Sequence, residues 1–285
     1  MEITKFHLLE IEKRIICART LFPRGEDTQL KESQIVSGNR NRSLHRAVEI
    51  LQAFRPGSDL HGNGELAERT GLSRATVSRL AQTLVDCGML ERDRRQRAYR
   101  LAPLVLSLAH AMRTGSPVLA AAGPLIRKEA ERRKVNVGLA AADRDEMVYL
   151  ESVRYSGRVS WRNVVAGQRV PMELTSLGRA YLAAAPEDRR KELFAQFRAH
   201  RSSRWTALSR EILSAIEQVR QQGYCCASWQ PEVVAIATPI VIPDYPIYVL
   251  NMSTSGDVAA QDFVRDLNKP LLDLASRIRN AIVVR

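Results

Sequence analysis

The stretch 63–88 constrains the fold of this chain more than any other, because it contains two helical patterns of apolar residues separated by a short glycine-containing turn. Asn63 is a candidate N-cap for the first helix, and Ser73 is a candidate N-cap for the second, which is expected to end at Gly88. Gly71 lies in the turn between them, where glycine can take a positive φ at no steric cost. This succession predicts a helix-turn-helix.

The second helix of this motif has two different faces. One face carries apolar residues at helical spacing, namely Val77, Leu80, Ala81, Leu84 and Val85. The opposite face carries Arg74, Ala75, Ser78, Arg79 and Gln82. Arginine can form two hydrogen bonds with guanine, and glutamine can do the same with adenine, in the major groove. The pattern indicates a recognition helix, and the alternative is a surface helix with ordinary polar residues.

A β-hairpin is predicted directly after this helix, with strands at 89–92 and 98–101. The tip between the strands carries Arg94, Arg95 and Arg97. Residues 39–100 hold twelve Lys and Arg against seven Asp and Glu, so the net charge of +12 is densest here. Arginines on such a wing can bind phosphates or enter a narrow minor groove. Together with a helix predicted over 43–54, the segment is expected to be a winged helix-turn-helix.

Composition narrows the class of protein. A chain of 285 residues with 45% hydrophobic and 26% charged residues is too apolar for intrinsic disorder and long enough for two domains. The positive charge favours polyanionic partners. Four scattered cysteines predict reduced thiols rather than a disulfide framework. No signal peptide is visible, and the longest apolar stretch, 101–112, is short of the roughly 20 residues that span a bilayer. A cytoplasmic protein with no membrane partner is predicted.

The chain divides into four predicted parts. These are an N-terminal extension at 1–38, for which disorder is one alternative, the winged helix-turn-helix at 39–101, a linker helix at 102–118 and a mixed α/β domain at 119–285. In the last part, helices are predicted near 123–134, 176–184, 187–197, 209–222 and 257–282, and strands near 135–142, 146–154, 158–165, 224–228, 233–242 and 247–253. Such a succession favours an α+β fold in which helices pack on one sheet.

The C-terminal part offers no catalytic pattern. The five histidines are dispersed, and there is no glycine-rich phosphate loop, HExxH or GxSxG motif. No catalytic residue, metal ligand or cofactor is therefore predicted. The segment 175–178 opens a helix whose amides and hydroxyls could hold a carboxylate, and simple helix capping is the alternative.

The motifs of both halves resemble IclR-type transcriptional regulators. The similar segments are 43–51, 65–80, 90–92 and 99–101 in the first half, and 148–150, 167–171, 175–180, 222–224 and 236–239 in the second. The resemblance implies a winged helix-turn-helix joined by a helical linker to an effector-binding domain with a GAF-like mixed α/β fold. It implies a homodimer or homotetramer that binds double-stranded, pseudo-palindromic promoter DNA as repressor or activator, modulated by a small organic acid.

The resemblance and the helix faces together give the predicted site residues. The predicted DNA contacts are Arg42, Ser73, Arg74, Thr76, Ser78, Arg79, Gln82, Arg94, Arg95 and Arg97. The predicted effector contacts, which the resemblance implies, are Thr175, Ser176, Leu177, Gly178, Ala235 and Ser253.

The segment 225–235 departs from the family pattern. The family has an acidic stretch followed by a glycine and an apolar residue there, and this chain has neither. Trp229 in this segment is expected to pack in the core, with filling of the effector pocket as the alternative. Two other functions stay open: a regulator without ligand control, and an enzyme for a small metabolite with an accessory DNA-binding domain.

Overall fold

The structure, a computed structural model, describes residues 41–155, 165–230, 232–256 and 258–283. The predicted extension 1–38 and all but the last residue of the predicted strand 158–165 lie outside this part of the chain. No helix in these residues is both long and apolar enough to cross a membrane. The described chain contains two antiparallel sheets, one before and one after residue 115.

The first sheet belongs to a three-helix unit. Its elements are α1 (Arg42–Gln52), β1 (His61–Gly62), α2 (Asn63–Thr70), α3 (Arg74–Asp86), β2 (Leu90–Asp93) and β3 (Ala98–Leu101). The strands lie in the order β1-β3-β2. Apolar residues from all three helices and from two strands meet in one core, which includes Ile50, Leu66, Val77, Leu80, Leu90 and Tyr99. The winged helix-turn-helix that the sequence predicts is thus formed.

The local signals of the motif are mostly confirmed. Ser73 caps α3, its Oγ accepting a hydrogen bond of 3.3 Å from the amide of Thr76. Gly71 and Gly88 both have positive φ, at 69° and 72°. The prediction for Asn63 is wrong by one residue: Asn63 already belongs to α2, and Gly62 stands at the N-cap without a side-chain bond.

The predicted linker helix and the helix predicted near 123–134 are both formed. They are α4 (Pro103–Thr114) and α5 (Pro117–Arg133). α5 begins six residues before the predicted start at Gly123, because Pro117 takes the first helical position and Ser116 caps the helix. Gly123 and Pro124 both lie inside α5.

The second sheet has six strands in the order β6-β5-β4-β9-β8-β7, all paired antiparallel. They are β4 (Asn136–Asp143), β5 (Glu146–Val153), β6 (Arg169–Pro171), β7 (Cys225–Ala227), β8 (Val233–Ile240) and β9 (Tyr248–Ser255). The remaining helices are α6 (Ser176–Ala184), α7 (Glu187–His200), α8 (Trp205–Gln222) and α9 (Ala260–Val283), with a 3-10 turn at Ser202–Arg204. The three-residue strand β6 was not predicted.

Helices cover both faces of this sheet. α5 and α9 pack on one face around Val137, Ile236, Leu250 and Leu271. α6, α7 and α8 pack on the other face around Met147, Leu177, Phe197 and Val249. The result is a mixed α/β layer structure, as the sequence predicts, with β4, β8 and β9 enclosed between helices on both sides.

Candidate nucleic-acid interface and buried polar site

The exposed face of α3 carries the side chains that the sequence assigns to base reading. Val77, Leu80, Ala81 and Leu84 are buried, whereas Arg74, Ser78, Arg79 and Gln82 are exposed. Ser73 is exposed at the N-cap, and Thr76, half-buried, forms a hydrogen bond of 2.9 Å between its Oγ1 and Ser73 Oγ. One face of α3 therefore fixes the helix to its core, and the other offers hydrogen-bonding groups to solvent.

The three long polar side chains of this face differ in their freedom. Gln82 Nε2 donates to Asp86 Oδ1 at 2.8 Å. Arg74 lies against the start of α2, because a Cβ built on Gly64 would stand 3.6 Å from Arg74 Nη2. Within the described residues, the guanidinium of Arg79 has no hydrogen-bond or ion-pair partner. Of these three side chains, Arg79 is the one that can bind a base without giving up an existing contact.

The wing is built around Asp93. Its carboxylate accepts the amides of Arg95 and Gln96 at 2.9 and 3.0 Å and pairs with the guanidinium of Arg100. The Gln96 amide, with the Arg95 amide and the Arg100 charge, holds the pKa of Asp93 below its usual range, although desolvation opposes this shift. Asp93 thus stays ionised, fixes the turn and neutralises one arginine.

The remaining wing arginines point to solvent. Arg94, Arg95 and Arg97 are exposed, and Arg97 adopts a positive φ of 51° at the end of the turn. Arg42, the first residue of α1, is also exposed, directly after Asn41, which caps that helix. The structure therefore brings the wing arginines together at one tip, beside the N-cap of α2, where a Cβ on Gly62 would stand 3.8 Å from the carbonyl oxygen of Arg97.

A second group of polar atoms is buried in the six-stranded sheet. Asn251 Nδ2 donates to Tyr149 Oη at 3.3 Å, and Asn251 Oδ1 is buried without a partner in the described residues. Burial raises the pKa of Tyr149 to about 12, although the bond from Asn251 and the charge of Arg154 oppose this shift. Tyr149 therefore keeps its proton, and whichever way the amide of Asn251 is turned, one of its polar atoms lacks a bond.

This buried polar site, formed by Gly138, Tyr149 and Asn251, has unusually small neighbours. A Cβ on Gly138 would stand 2.5 Å from Tyr149 Cε1 and 2.7 Å from Asn251 Oδ1. Along the strands next to Gly138, the residues on the same face are Ala140, Ala235, Ala237 and Ser253. Two predicted effector contacts, Ala235 and Ser253, thus pair with each other one step along the sheet from Asn251.

The sequence reasoning did not select Asn251 or Tyr149. A signal was available, because Asn251 interrupts the apolar run 248–252 of a central strand. A polar side chain in such a place needs a partner or a function.

The residues 175–178 have structural roles that the sequence also allowed. Thr175 is the N-cap of α6: its Oγ1 accepts the amide of Gly178 at 3.2 Å and donates to Pro171 O at 2.8 Å. Leu177 is buried in the core. The amides of Ser176 and Leu177 begin the helix and have no intrahelical partner. Ligand contact by this segment stays a prediction.

The prediction that Trp229 packs in the core is wrong. Trp229 follows the end of β7 and is 37% exposed. β7 and β8 stop pairing at Ala227 and Ala235, so Trp229 lies beyond the paired part of these two strands. In the described residues, no group of three or more His, Cys, Asp or Glu side chains is placed to hold a metal ion.

Comparison with known proteins gives matches over both halves. A model of the IclR helix-turn-helix domain matches residues 43–94, and a model of the C-terminal domain of bacterial IclR transcriptional regulators matches residues 110–280. A solved IclR family transcriptional regulator from Brucella abortus is 33% identical, with a TM-score of 0.77, and the match covers 84% of this chain and 91% of that chain.

Two further proteins are similar. The Pca regulon regulatory protein of Pseudomonas putida is 29% identical over 240 residues, which cover 82% of this chain and 81% of that protein. An IclR homolog from Microbacterium hydrocarbonoxydans, solved as a complex with 4-hydroxybenzoate, is 22% identical, and the match covers 85% of this chain and 100% of that one at a TM-score of 0.64. At this identity, the second likeness concerns the fold.

Proposed function

The chain belongs to the IclR family of transcriptional regulators, and we propose that it binds a pseudo-palindromic promoter site as a homodimer whose affinity for DNA responds to a small organic acid. As a member of this family it is a DNA-binding regulator and not an enzyme. Promoter DNA is its target, so we place it in the cytoplasm.

The proposed mode of DNA binding rests on the exposed face of α3. A helix with one buried and one polar face, followed by a basic wing, fits the major groove and the phosphates beside it. In our proposal, Arg74, Ser78, Arg79 and Gln82 read bases. The phosphate contacts come from Arg42, Ser73, Thr76, Arg94, Arg95 and Arg97.

The surface of α4 supports the proposed dimer. Within the described residues this helix has no buried side chain, although it is rich in leucine. Leu104, Leu108 and Met112 recur four residues apart, so they form one exposed apolar stripe. A contiguous apolar stripe on a soluble chain marks an interaction surface, and a two-fold axis lets the same stripe of a second copy cover it. Two copies would place their α3 helices about 34–36 Å apart, one turn of DNA.

Introducing a charge into this stripe tests whether the stripe forms the dimer interface. We expect Leu108→Glu to convert the dimer to monomers and to lower the affinity for the full palindrome at least about tenfold, because burial of a carboxylate without a partner is strongly unfavourable. Binding to a single half-site should not change. Sedimentation gives the oligomeric state, including a tetramer, and gel-shift titration gives both affinities.

His110→Glu is the matched control, since it adds the same charge on the opposite side of α4. It should leave the dimer and the affinity unchanged. A Leu108→Glu protein that remains dimeric and binds the palindrome normally would exclude α4 as the interface.

The buried polar site supports an organic acid as the effector. It combines an unpaired amide oxygen, a protonated phenol and small neighbouring side chains, and the charge of Arg154 acts on the phenol. A ligand with a carboxylate and a hydroxyl could satisfy these groups, and a solved relative holds 4-hydroxybenzoate, which has both. The free amides at the start of α6 would add donors for the carboxylate.

Thermal denaturation with a panel of small organic acids tests the effector. An acid that binds only the folded chain raises the melting temperature by several degrees at a hundredfold excess over its Kd. Asn251→Leu should abolish this rise. Because it also removes the donor to Tyr149 Oη, the rise is measured against the melting temperature of the same variant without acid. Thr254→Val, on the same strand but the opposite face, should keep the rise. No response to any acid would favour a regulator without ligand control.

A further inference from the structure

Two arginines that precede the second sheet reach one of its strands, β5. Arg55, in the loop after α1, donates from Nη1 to both carboxylate oxygens of Glu146, at 2.7 and 2.8 Å. Arg113, in the last turn of α4, donates from Nη2 to Glu151 Oε2 at 2.8 Å and also bonds the carbonyl of Leu150. The winged helix-turn-helix and the linker helix are thus each tied to β5.

The acceptor of the first contact is held in place by the second sheet. Arg169 of β6 donates from Nε to Glu146 Oε2 at 2.7 Å, and its Nη2 pairs with Asp143 Oδ2 at 2.6 Å. Glu146 is only 20% exposed and lies between two guanidinium groups. It is therefore a fixed anchor rather than a mobile surface carboxylate.

The donor of the first contact is connected to the helix-turn-helix. Arg55 and Ser58 close a turn by two backbone hydrogen bonds of 2.8 and 3.1 Å. Ser58 Oγ accepts from Arg69 Nη2 at 2.9 Å, and the same nitrogen donates to Glu65 Oε1 at 3.0 Å. Arg69 and Glu65 belong to α2, so hydrogen bonds run without a gap from Glu146 to the first helix of the motif.

We propose that Arg55 and Arg113 are positioning residues, which fix the orientation of the winged helix-turn-helix on β5 and thereby set the spacing between the two recognition helices. The inference rests on the proposed binding of a palindrome by a dimer. Each α3 contacts its own half-site whatever the orientation of the domain, but both can bind at once only when the two domains face successive major grooves. Without these arginine contacts, one winged helix-turn-helix still binds its half-site as before. Simultaneous binding of both half-sites becomes less favourable, because the orientation of each winged helix-turn-helix must then be fixed on binding.

The test compares three DNA duplexes: the palindrome, one half-site, and palindromes with one or two base pairs added or removed at the centre. We expect Arg55→Gln to lower the affinity for the palindrome about three- to tenfold, since an exposed pair contributes up to about fivefold and the dimer has two. The half-site affinity should stay the same, and the preference for the native spacing should become weaker. Arg113→Gln should act in the same direction.

Two further variants separate positioning from other effects. Glu146→Gln combined with Arg55→Gln should weaken palindrome binding no more than Glu146→Gln alone, because Glu146→Gln already removes the carboxylate that Arg55 binds, together with the bond from Arg169. Arg265→Gln breaks an exposed ion pair with Asp262 on α9 and should change neither affinity nor spacing preference.

Equal losses on the palindrome and the half-site would overturn the inference, because Arg55 would then contact DNA or stabilise the domain. An unchanged affinity and spacing preference in Arg55→Gln and Arg113→Gln would overturn it as well. The wild-type chain serves as reference: if it does not prefer the palindrome over a half-site, the proposed function itself fails, and the inference fails with it.

Discussion

Arg79→Ala is expected to lower the affinity for the promoter site about five- to 150-fold per half-site, which corresponds to ~1–3 kcal/mol for a lost bidentate contact with guanine. Arg79 is exposed on α3 and its guanidinium has no partner within the described residues, so the free protein loses no contact with this change. The whole loss should therefore appear in the complex. Anisotropy titrations with the promoter duplex and a scrambled duplex measure it, and the scrambled duplex should be bound as before.

The wing supplies the matched control. Arg95→Ala removes the same side chain from a tip that Asp93 holds through the backbone, so the turn should remain formed. A phosphate contact carries no sequence information, so this change should weaken both duplexes alike and reduce the salt slope by about one per protomer. If Arg79→Ala also weakened both duplexes equally, Arg79 would be a phosphate contact; if it changed neither, α3 would not read this site.

For the exposed face of α3, the sequence indicates which residues lie there but not which of them are free of contacts within the protein. Helical spacing is enough to place Arg74, Arg79 and Gln82 opposite the apolar stripe. Whether each is free depends on neighbours: Gln82 bonds Asp86 one turn on, and Arg74 lies over Gly64 of another helix. The second of these contacts depends on the packing of α2 on α3, which no local pattern encodes.

The predictions of helices and strands also succeed where the signal is local and fail where the element depends on a neighbouring strand. The bounds of α6 are predicted correctly because Thr175, the cap, and the apolar spacing after it are local signals. The strands β1 and β6 have two and three residues, too few to show alternation, and exist because a neighbouring strand offers hydrogen bonds. A pattern of period two needs a longer segment.

The buried polar site depends on register. Gly138 is opposite Asn251 of β9. On the other side of β4, the pairing with β5 has a β-bulge between Leu139 and Ala140, and Tyr149 pairs with Ala140 beyond this bulge. The three residues lie far apart in the sequence, and a shift of one residue in either pairing would turn them to opposite faces. The sequence therefore predicts the strands but not the site that their pairing creates.

Gly178→Ala is expected to destabilise the chain by about 3 kcal/mol, at the upper end of the usual cost of overpacking. A Cβ on Gly178 would stand 2.0 Å from the carbonyl oxygen of Met172 and 2.3 Å from its Cα. These are backbone atoms in the segment that leads into α6, so no side-chain rotation can relieve the contact. The melting temperature should fall by roughly 6–12 °C, since a change of 1 kcal/mol shifts a domain of this size by about 2–4 °C.

Gly123→Ala is the control for this prediction, because it makes the same change inside a helix where nothing lies within 4 Å of the new Cβ. It should stabilise the chain by about 0.5–1 kcal/mol, as alanine favours a helix over glycine. The two variants thus differ in sign, and calorimetry of both proteins measures the difference. A Gly178→Ala chain as stable as the wild type, but without a thermal response to acids, would contradict the packing role and assign this glycine to the ligand instead.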